Sequence, residues 1–116
     1  GHITTFGGHP VSCAAGKAAM EVLLDDGCIA TVKEKEQLLL AQLKHPKIKA
    51  VRSAGLFMAL EFESADENRR IVHACLERGL ITDWFLFAPE CMRIAPPLTI
   101  TTEILRNACE VILSVL

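Results

Sequence analysis

Leu56-Phe57-Met58-Ala59-Leu60-Glu61-Phe62-Glu63 alternates with period two. Leu56, Met58, Leu60 and Phe62 fall on one side, Phe57, Ala59, Glu61 and Glu63 on the other. Side chains alternate across a strand, so this pattern predicts a strand with one wholly apolar face. Upstream, Val51-Arg52-Ser53-Ala54-Gly55 leads into it, and Gly55 marks a bulge or a close contact. Downstream, Ser64-Ala65-Asp66-Glu67 is a capping box, a Ser N-cap with Glu three residues on. It predicts a helix to about Arg78, with Ile71, Val72, Cys75 and Leu76 turned inward and Gly79 closing it.

Beyond Gly79, Leu80-Ile81-Thr82-Asp83-Trp84-Phe85-Leu86-Phe87 reads as a strand or an extended rim segment. Its aromatic run either faces a substrate or fills the core. Ala88-Pro89-Glu90 reads as a turn and Cys91–Ala95 as a short strand, which Pro96-Pro97 ends because proline donates nothing to a ladder. Thr101 or Thr102 caps a last helix to Leu116, with Ile104, Leu105, Ala108, Val111, Ile112 and Val115 as its apolar set.

Two helices precede the strand. The first runs from Pro10 to about Asp26, with Val11, Ala14, Ala15, Ala18, Val22 and Leu23 at helical spacing and Gly27 as its stop. Ala14, Ala15, Ala18 and Ala19 beside Gly16 make one side small enough for another backbone to approach. The second runs from about Ile29 to Lys44. Its stripe is Ile29, Val32, Glu36, Leu39, Leu40 and Leu43, with one acidic interruption. Lys33, Glu34, Lys35 and Gln37 form the solvated face. Lys44 and His45 suit the negative pole, and Pro46 stops the helix. The order helix, helix, strand, helix, strand, strand, helix predicts an α/β fold of the two-layer α+β kind. Its sheet is small, antiparallel or mixed, with helices packed on one face. The sheet's other face and the small side of the first helix are left for something outside this chain.

A chain of 116 residues fits a single domain, long enough to bury a core without staples. Half of its residues are hydrophobic and the mean hydropathy is +0.33, which hints at faces meant for a partner. The net charge of −2, with no Lys/Arg cluster interleaved with aromatics, argues against nucleic acid. No apolar run approaches the ~18 residues of a membrane span, and no stretch reads as a signal peptide. The cysteines (Cys13, Cys28, Cys75, Cys91, Cys109) are odd in number and form no C-x-x-C. They read as small buried thiols of a cytoplasmic protein, not as a disulfide framework or a metal site. His2, His9, His45 and His73 also lack metal-ligand spacing. Gly1 is native or a remnant of tag removal.

Chemistry concentrates in Thr4-Thr5-Phe6-Gly7-Gly8-His9-Pro10, a loop running into a helix. Pro10 suits the first helical position, where its missing N–H costs nothing. His9 then sits at the N-cap, where it caps poorly, so the free amides of the first turn need another partner. Two glycines allow close backbone approach, and two hydroxyls stand just upstream. Together these suit a bound phosphate or carboxylate. The plainer reading is a Gly-Gly turn entering a core helix.

Three ordered motifs carry a resemblance. Thr4-Thr5-Phe6-Gly7-Gly8-His9-Pro10 followed by Cys13-Ala14-Ala15 resembles the pattern T-[FY]-G-G-N-P with small helix residues after it. Val51-Arg52-Ser53-Ala54-Gly55-Leu56-Phe57 is similar to V-R-G-x-G-L-[MF], departing at Ser53. Met92-Arg93-Ile94-Ala95-Pro96-Pro97-Leu98-Thr99-Ile100-Thr101 resembles R-[LIV]-x-P-P-L-x-[IV]-T. All three belong to class III aminotransferases, pyridoxal-phosphate enzymes of fold type I such as the ornithine, acetylornithine and 4-aminobutyrate transaminases.

The resemblance covers the C-terminal small domain of such an enzyme. It implies a piece of a longer polypeptide whose large domain, with the aspartate for the pyridine nitrogen and the Schiff-base lysine, lies elsewhere. This chain then contains no catalytic residue. Lys17, two turns into the first helix, reads as a solvated charge and not as that lysine. The resemblance implies that Thr5, helped by Thr4, Gly7 and Gly8, contacts the cofactor phosphate of the neighbouring subunit in a homodimer. His9 stands where the family has Asn. Arg93 maps onto an arginine that binds a substrate carboxylate in some members and pairs with a glutamate in others; its planar fork suits either. Implied substrates are an amino acid or amine and a 2-oxo acid, and the isolated chain is expected to be inactive. The competing reading is a free-standing, non-catalytic binding or dimerisation module, with Phe6, Trp84, Phe85 and Phe87 exposed for a partner.

Overall fold

The structure, a computed structural model, describes residues 3–25 and 27–116. Gly1, His2 and Asp26, the last being the expected end of the first helix, lie outside the described residues. The chain falls into two compact units, Gly1–Thr31 and Val32–Leu116. The element order is α1 (Pro10–Asp25), α2 (Cys28–Gln42), β1 (Ala50–Ala54), β2 (Phe57–Glu61), α3 (Ala65–Glu77), β3 (Asp83–Phe85), β4 (Ala88–Ile94) and α4 (Thr102–Ser114).

In the first unit α1 starts at Pro10, as its missing N–H predicts. The inward stripe expected on α1 is not buried. Val11 and Val22 are exposed, Leu23 is only half-buried, and no described residue of the helix is buried. The apolar period is present, but among the described residues of this unit nothing buries it.

The second unit is built on an antiparallel sheet in the order β1-β2-β4-β3. The segment expected only to lead into the strand is itself a strand. Ala54 pairs with Phe57, so Gly55 and Leu56 form a two-residue hairpin loop. Gly55 has φ +64°, and a positive φ at the first loop residue lets the turn match the twist of its strands. A Cβ on Gly55 would sit 2.6 Å from Val32 Cγ1, so the anticipated close contact is real, and the position is a turn rather than a bulge. The second hairpin also differs from expectation. Leu86 and Phe87 make the turn, and Ala88-Pro89-Glu90 belongs to β4. Trp84 pairs with Met92, yet Phe85 pairs with Ala88, so Pro89, Glu90 and Cys91 bulge out of the β3 ladder. Pro89 is tolerated because the irregularity asks no hydrogen bond of it there.

The alternation read in the sequence sets the core. Leu56, Met58, Leu60 and Phe62 are buried, and they join Met92 of β4 and residues of α2, α3 and α4 in one cluster. Those helical residues are Leu39, Ile71, Val72, Cys75, Leu105, Cys109 and Ile112, with Leu43 just beyond α2. Ser64 caps α3 by accepting from the Glu67 amide at 3.2 Å, and Thr101 caps α4 by accepting from the Ile104 amide at 3.2 Å. Leu76 and Ile104, expected inward, are exposed. Asn68 faces inward on α3 instead, and its Nδ2 donates to Pro89 O at 2.8 Å across the β4 bulge.

Two expectations for α2 need correction. The helix stops at Gln42, so Lys44 and His45 lie beyond its last turn. A residue before proline is pushed out of the α region, and Pro46 shortens the helix accordingly. Lys35, read as solvated, is buried and donates from Nζ to Leu98 O at 2.7 Å. The acidic interruption has a partner as well, since Glu36 Oε1 accepts from the Gly55 amide at 3.0 Å. The C-terminal carbonyls of α4 are capped from elsewhere: Arg70 donates to Val115 O, Arg78 to Ser114 O and Lys47 to Leu116 O. Cations there offset the negative pole of a helix whose own last turn has none.

Two measurements check this account. Gly55→Ala and Gly79→Ala both place a side chain at positive φ, but a Cβ meets nothing within 4 Å at Gly79. Left-handed φ costs about 1–2 kcal/mol, so Gly79→Ala lowers unfolding free energy by about that amount and Gly55→Ala by clearly more in urea titrations. Burial pushes the Cys109 thiol up to about 11. Between the ordinary thiol range and that value the unfolded chain loses the proton first, so it binds fewer protons and stability falls as pH rises. The share of this loss due to Cys109 between about pH 9 and pH 11 is on the order of 2 kcal/mol, and Cys109→Ala removes that share while the raised Cys75 and Cys91 keep theirs.

Candidate functional site

In the first unit, the expected anion loop is a turn over Thr5–Gly8. The Gly7 amide donates to Thr4 O at 3.3 Å and the His9 amide to Phe6 O at 3.1 Å. Gly8 takes φ +77°, which reverses the chain before the helix. A Cβ on Gly7 would fall 2.2 Å from Thr4 Oγ1, so any other residue there would make the Thr4 side chain turn away. His9 occupies the cap position, its carbonyl accepting from the Cys13 amide at 2.9 Å. Val11 and Ser12 are the first-turn residues left with amides that donate to no described acceptor. Thr4 and Thr5 are exposed, and no carboxylate occurs between Ile3 and Ser12. Hydroxyls, free amides and a positive helix end thus occur within one short segment that carries no acid of its own. Lys17 is exposed and lies 3.6 Å from Glu21, one turn along α1.

In the second unit, helices cover one sheet face; on the other, the open face, Arg52, Phe57 and Arg93 are exposed while Ala59 and Cys91 are buried. Strand parity puts Arg52, Ala54, Phe57, Ala59, Glu61, Asp83, Cys91 and Arg93 on the open face. Phe57 and Phe85 meet edge to face, with ring centroids 5.6 Å apart. With Phe87, Ala54, Ala59 and Arg52 they line a trough of about 450 Å³. Arg52 donates from Nη1 to Glu61 Oε2 at 2.5 Å and from Nη2 to Cys91 Sγ at 3.1 Å. Burial pushes the Cys91 thiol up, while Arg52 pulls it the other way.

Arg93 lies at the end of β4, directly across from Asp83. Its Nε donates to Asp83 Oδ1 at 2.7 Å and its Nη2 to Asp83 Oδ2, so the carboxylate takes one edge of the fork. The Thr82 hydroxyl donates to Arg93 O at 2.6 Å. Both charged side chains remain nearly half exposed. Arg93 and Thr82 also border a mostly apolar cavity of about 290 Å³ under Pro96 and Pro97. Trp84, Leu86 and Phe87 are exposed, so the aromatic run does not fill the core.

The loop of Thr4, Thr5, Gly7 and Gly8 belongs to the first unit and Arg93 to the second. Asp83 is the residue that sequence reasoning passed over. The signal was a lone acid in the apolar run Leu80–Phe87, placed to face Arg93 once the two strands fold back.

The family model for class-III aminotransferases matches residues 1–116. The chain belongs to the class-III aminotransferase family. It is 33% identical to acetylornithine aminotransferase of Caldanaerobacter subterraneus over 99% of this chain and 30% of the relative. It is 42% identical to ornithine aminotransferase 2 of Staphylococcus aureus over 94% of this chain and 27% of the relative. Among solved structures, acetylornithine aminotransferase of Elizabethkingia anophelis superposes with TM-score 0.84 at 28% identity, covering 99% of this chain and 30% of that one. Ornithine aminotransferase of Toxoplasma gondii gives TM-score 0.83 at 30% identity, covering 98% of this chain and 28% of that one. The chain therefore spans less than a third of the length of these relatives. No helix among the described residues is long and apolar enough to cross a membrane.

An exposed, bidentate ion pair contributes about 0.5–1 kcal/mol. A double-mutant cycle with Arg93→Lys and Asp83→Asn, read by urea unfolding, gives a coupling energy in that range, and it shrinks in 1 M salt.

Proposed function

We propose that this chain is the C-terminal small domain of a pyridoxal-phosphate-dependent transaminase. That protein moves an amino group between an amino acid or amine and a 2-oxo acid. It works as a cytoplasmic homodimer, a compartment in which five free cysteines are at home. The observation that carries the reading is the turn at Thr5–Gly8, whose sequence resembles the family's T-[FY]-G-G-N-P motif and whose hydroxyls and amides suit an anion.

Pyridoxal phosphate, when bound, supplies an electron sink for the carbanion left when a proton departs from the amino-bearing carbon. The residues of this chain fit its phosphate end. Thr5 Oγ1 and Thr4 Oγ1 offer hydroxyls, Val11 and Ser12 offer amides, and the positive pole of α1 favours the charge. In the dimer this loop serves the phosphate held by the neighbouring subunit. No lysine here suits a covalent anchor: Lys17, Lys33, Lys44 and Lys47 are exposed, Lys35 is bonded to Leu98 O, and Lys49 is paired with Glu63 at 2.9 Å. Arg93 serves as a carboxylate-orienting wall of the substrate pocket. The half-apolar sheet face with exposed Phe57 and Arg52 is the side that the rest of the polypeptide covers.

The test has two arms. The 116-residue chain, mixed with pyridoxal phosphate and reduced with borohydride, acquires no stoichiometric label at any one lysine and transfers no amino group. In the full-length protein, Thr5→Val weakens cofactor retention about tenfold, the value of one hydrogen bond to a charged group. A stoichiometric label on one lysine of the short chain overturns the reading that the covalent anchor lies elsewhere, and unchanged retention in Thr5→Val overturns the phosphate role of this loop; a full-length protein that transfers no amino group favours the non-catalytic module.

A further inference from the structure

Arg93 carries five N–H donors. Asp83 uses two of them, one on Nε and one on Nη2, which together form the side edge of the guanidinium. The end edge, formed by Nη1 and the second hydrogen of Nη2, has no partner among the described residues. One carboxylate therefore leaves the fork able to accept another along a different edge, in the same plane. The backbone of Arg93 is pinned as well, since Thr82 Oγ1 donates to its carbonyl at 2.6 Å. Thr82 and Asp83 are consecutive, so a single dipeptide holds both ends of the arginine. Pro96 and Pro97 stiffen the chain that leaves it.

We infer that Asp83 is a positioning residue for Arg93: it stays bound to the side edge and aims the end edge at the carboxylate of the substrate. The inference rests on the reading of Arg93 as a carboxylate-binding wall, and it adds a residue and a direction to it. It differs from a scheme in which Asp83 competes with the substrate for the same edge. In that scheme removing Asp83 frees the arginine and tightens carboxylate binding. In the arrangement seen here, removing it lets a long side chain with several rotatable bonds wander, and binding weakens. Asp83 also lowers the net charge of the site, so an unpaired anion is not drawn to Arg93 by charge alone and the geometry of the free edge decides what binds.

The probe is glutarate, a dicarboxylate with neither an amino nor an oxo group, titrated calorimetrically into the full-length protein. Asp83→Asn keeps the shape of the side chain, removes its charge and spoils one of the two hydrogen bonds. We expect glutarate to bind about tenfold more weakly to it, as loss of one charge-assisted hydrogen bond implies. Asp83→Glu restores part of the loss, and in turnover the deficit falls on KM for the 2-oxo acid rather than on kcat. Both positions are half exposed, so the thermal midpoint moves little. Unchanged or tighter glutarate binding in Asp83→Asn, with Arg93→Lys weakened, overturns the positioning role and leaves the carboxylate wall standing. Unchanged binding in Arg93→Lys overturns the wall itself, and the positioning role with it.

Discussion

The burial of four alternating side chains on and beside β2 constrains everything else in the second unit. Leu56, Met58, Leu60 and Phe62 have almost no exposed surface, and each fully buried side chain of this kind contributes about 1.5–3 kcal/mol. A period of two admits one register only, since a slip of one residue would turn Glu61 and Glu63 into the core. With β2 fixed, β1 and β4 are fixed on either side of it, and the pairing sets which side chains reach the open face. Arg52 and Arg93 stand on that face because Met58, Leu60 and Met92 are on the other. The positions of the charged groups thus follow from an apolar requirement.

Much of this was legible in the residues. The capping roles of Ser64 and Thr101, the stop at Gly79 and the buried stripe of β2 all rest on local rules that tertiary context left intact. The failures share a cause. Ala50–Ala54 mixes Val51, Arg52 and Ser53 without a clean period, because an edge strand is asked for little burial on either face. The turn at Leu86-Phe87 carries no Gly, Pro, Asn or Asp, so it gave no turn signal, whereas Pro89 gave a false one. Lys35 looked solvated because its burial depends on a carbonyl sixty-three residues away, a partner no periodicity reveals. On α1 the period was sound, yet period alone does not say whether the covering surface lies in the same chain.

The site shows the same division. The turn before α1 was readable because it is set locally, by glycines and backbone hydrogen bonds between neighbours in sequence, and the anion site proposed there draws on the same few residues. In the second unit the charged pair was readable only in part. Arg93 was visible as a motif residue, but Asp83 acquires its meaning from a cross-strand pairing interrupted by a three-residue bulge. Counting back from Arg93 with an ideal hairpin centred on the expected Ala88–Glu90 turn would have put another residue opposite it.

The open face of the sheet then makes a consistent argument with the unburied helix α1. A free-standing domain of this size needs most of its apolar surface inside. Here Val11, Met20, Val22 and Leu24 on α1, and Phe57, Trp84 and Phe87 around the sheet, remain exposed. The charged groups on the open face are already paired, Arg52 with Glu61 and Arg93 with Asp83. Pairing within the face lowers the cost of desolvating it when a second surface closes over it, since an ion pair loses less hydration than two separate charges. A surface selected only for solubility would leave those arginines and acids spread apart and hydrated, and would not set an aromatic pair and a trough between them. Paired charge beside uncovered apolar area suits the proposed wall, dried by another domain while one edge of Arg93 meets a carboxylate.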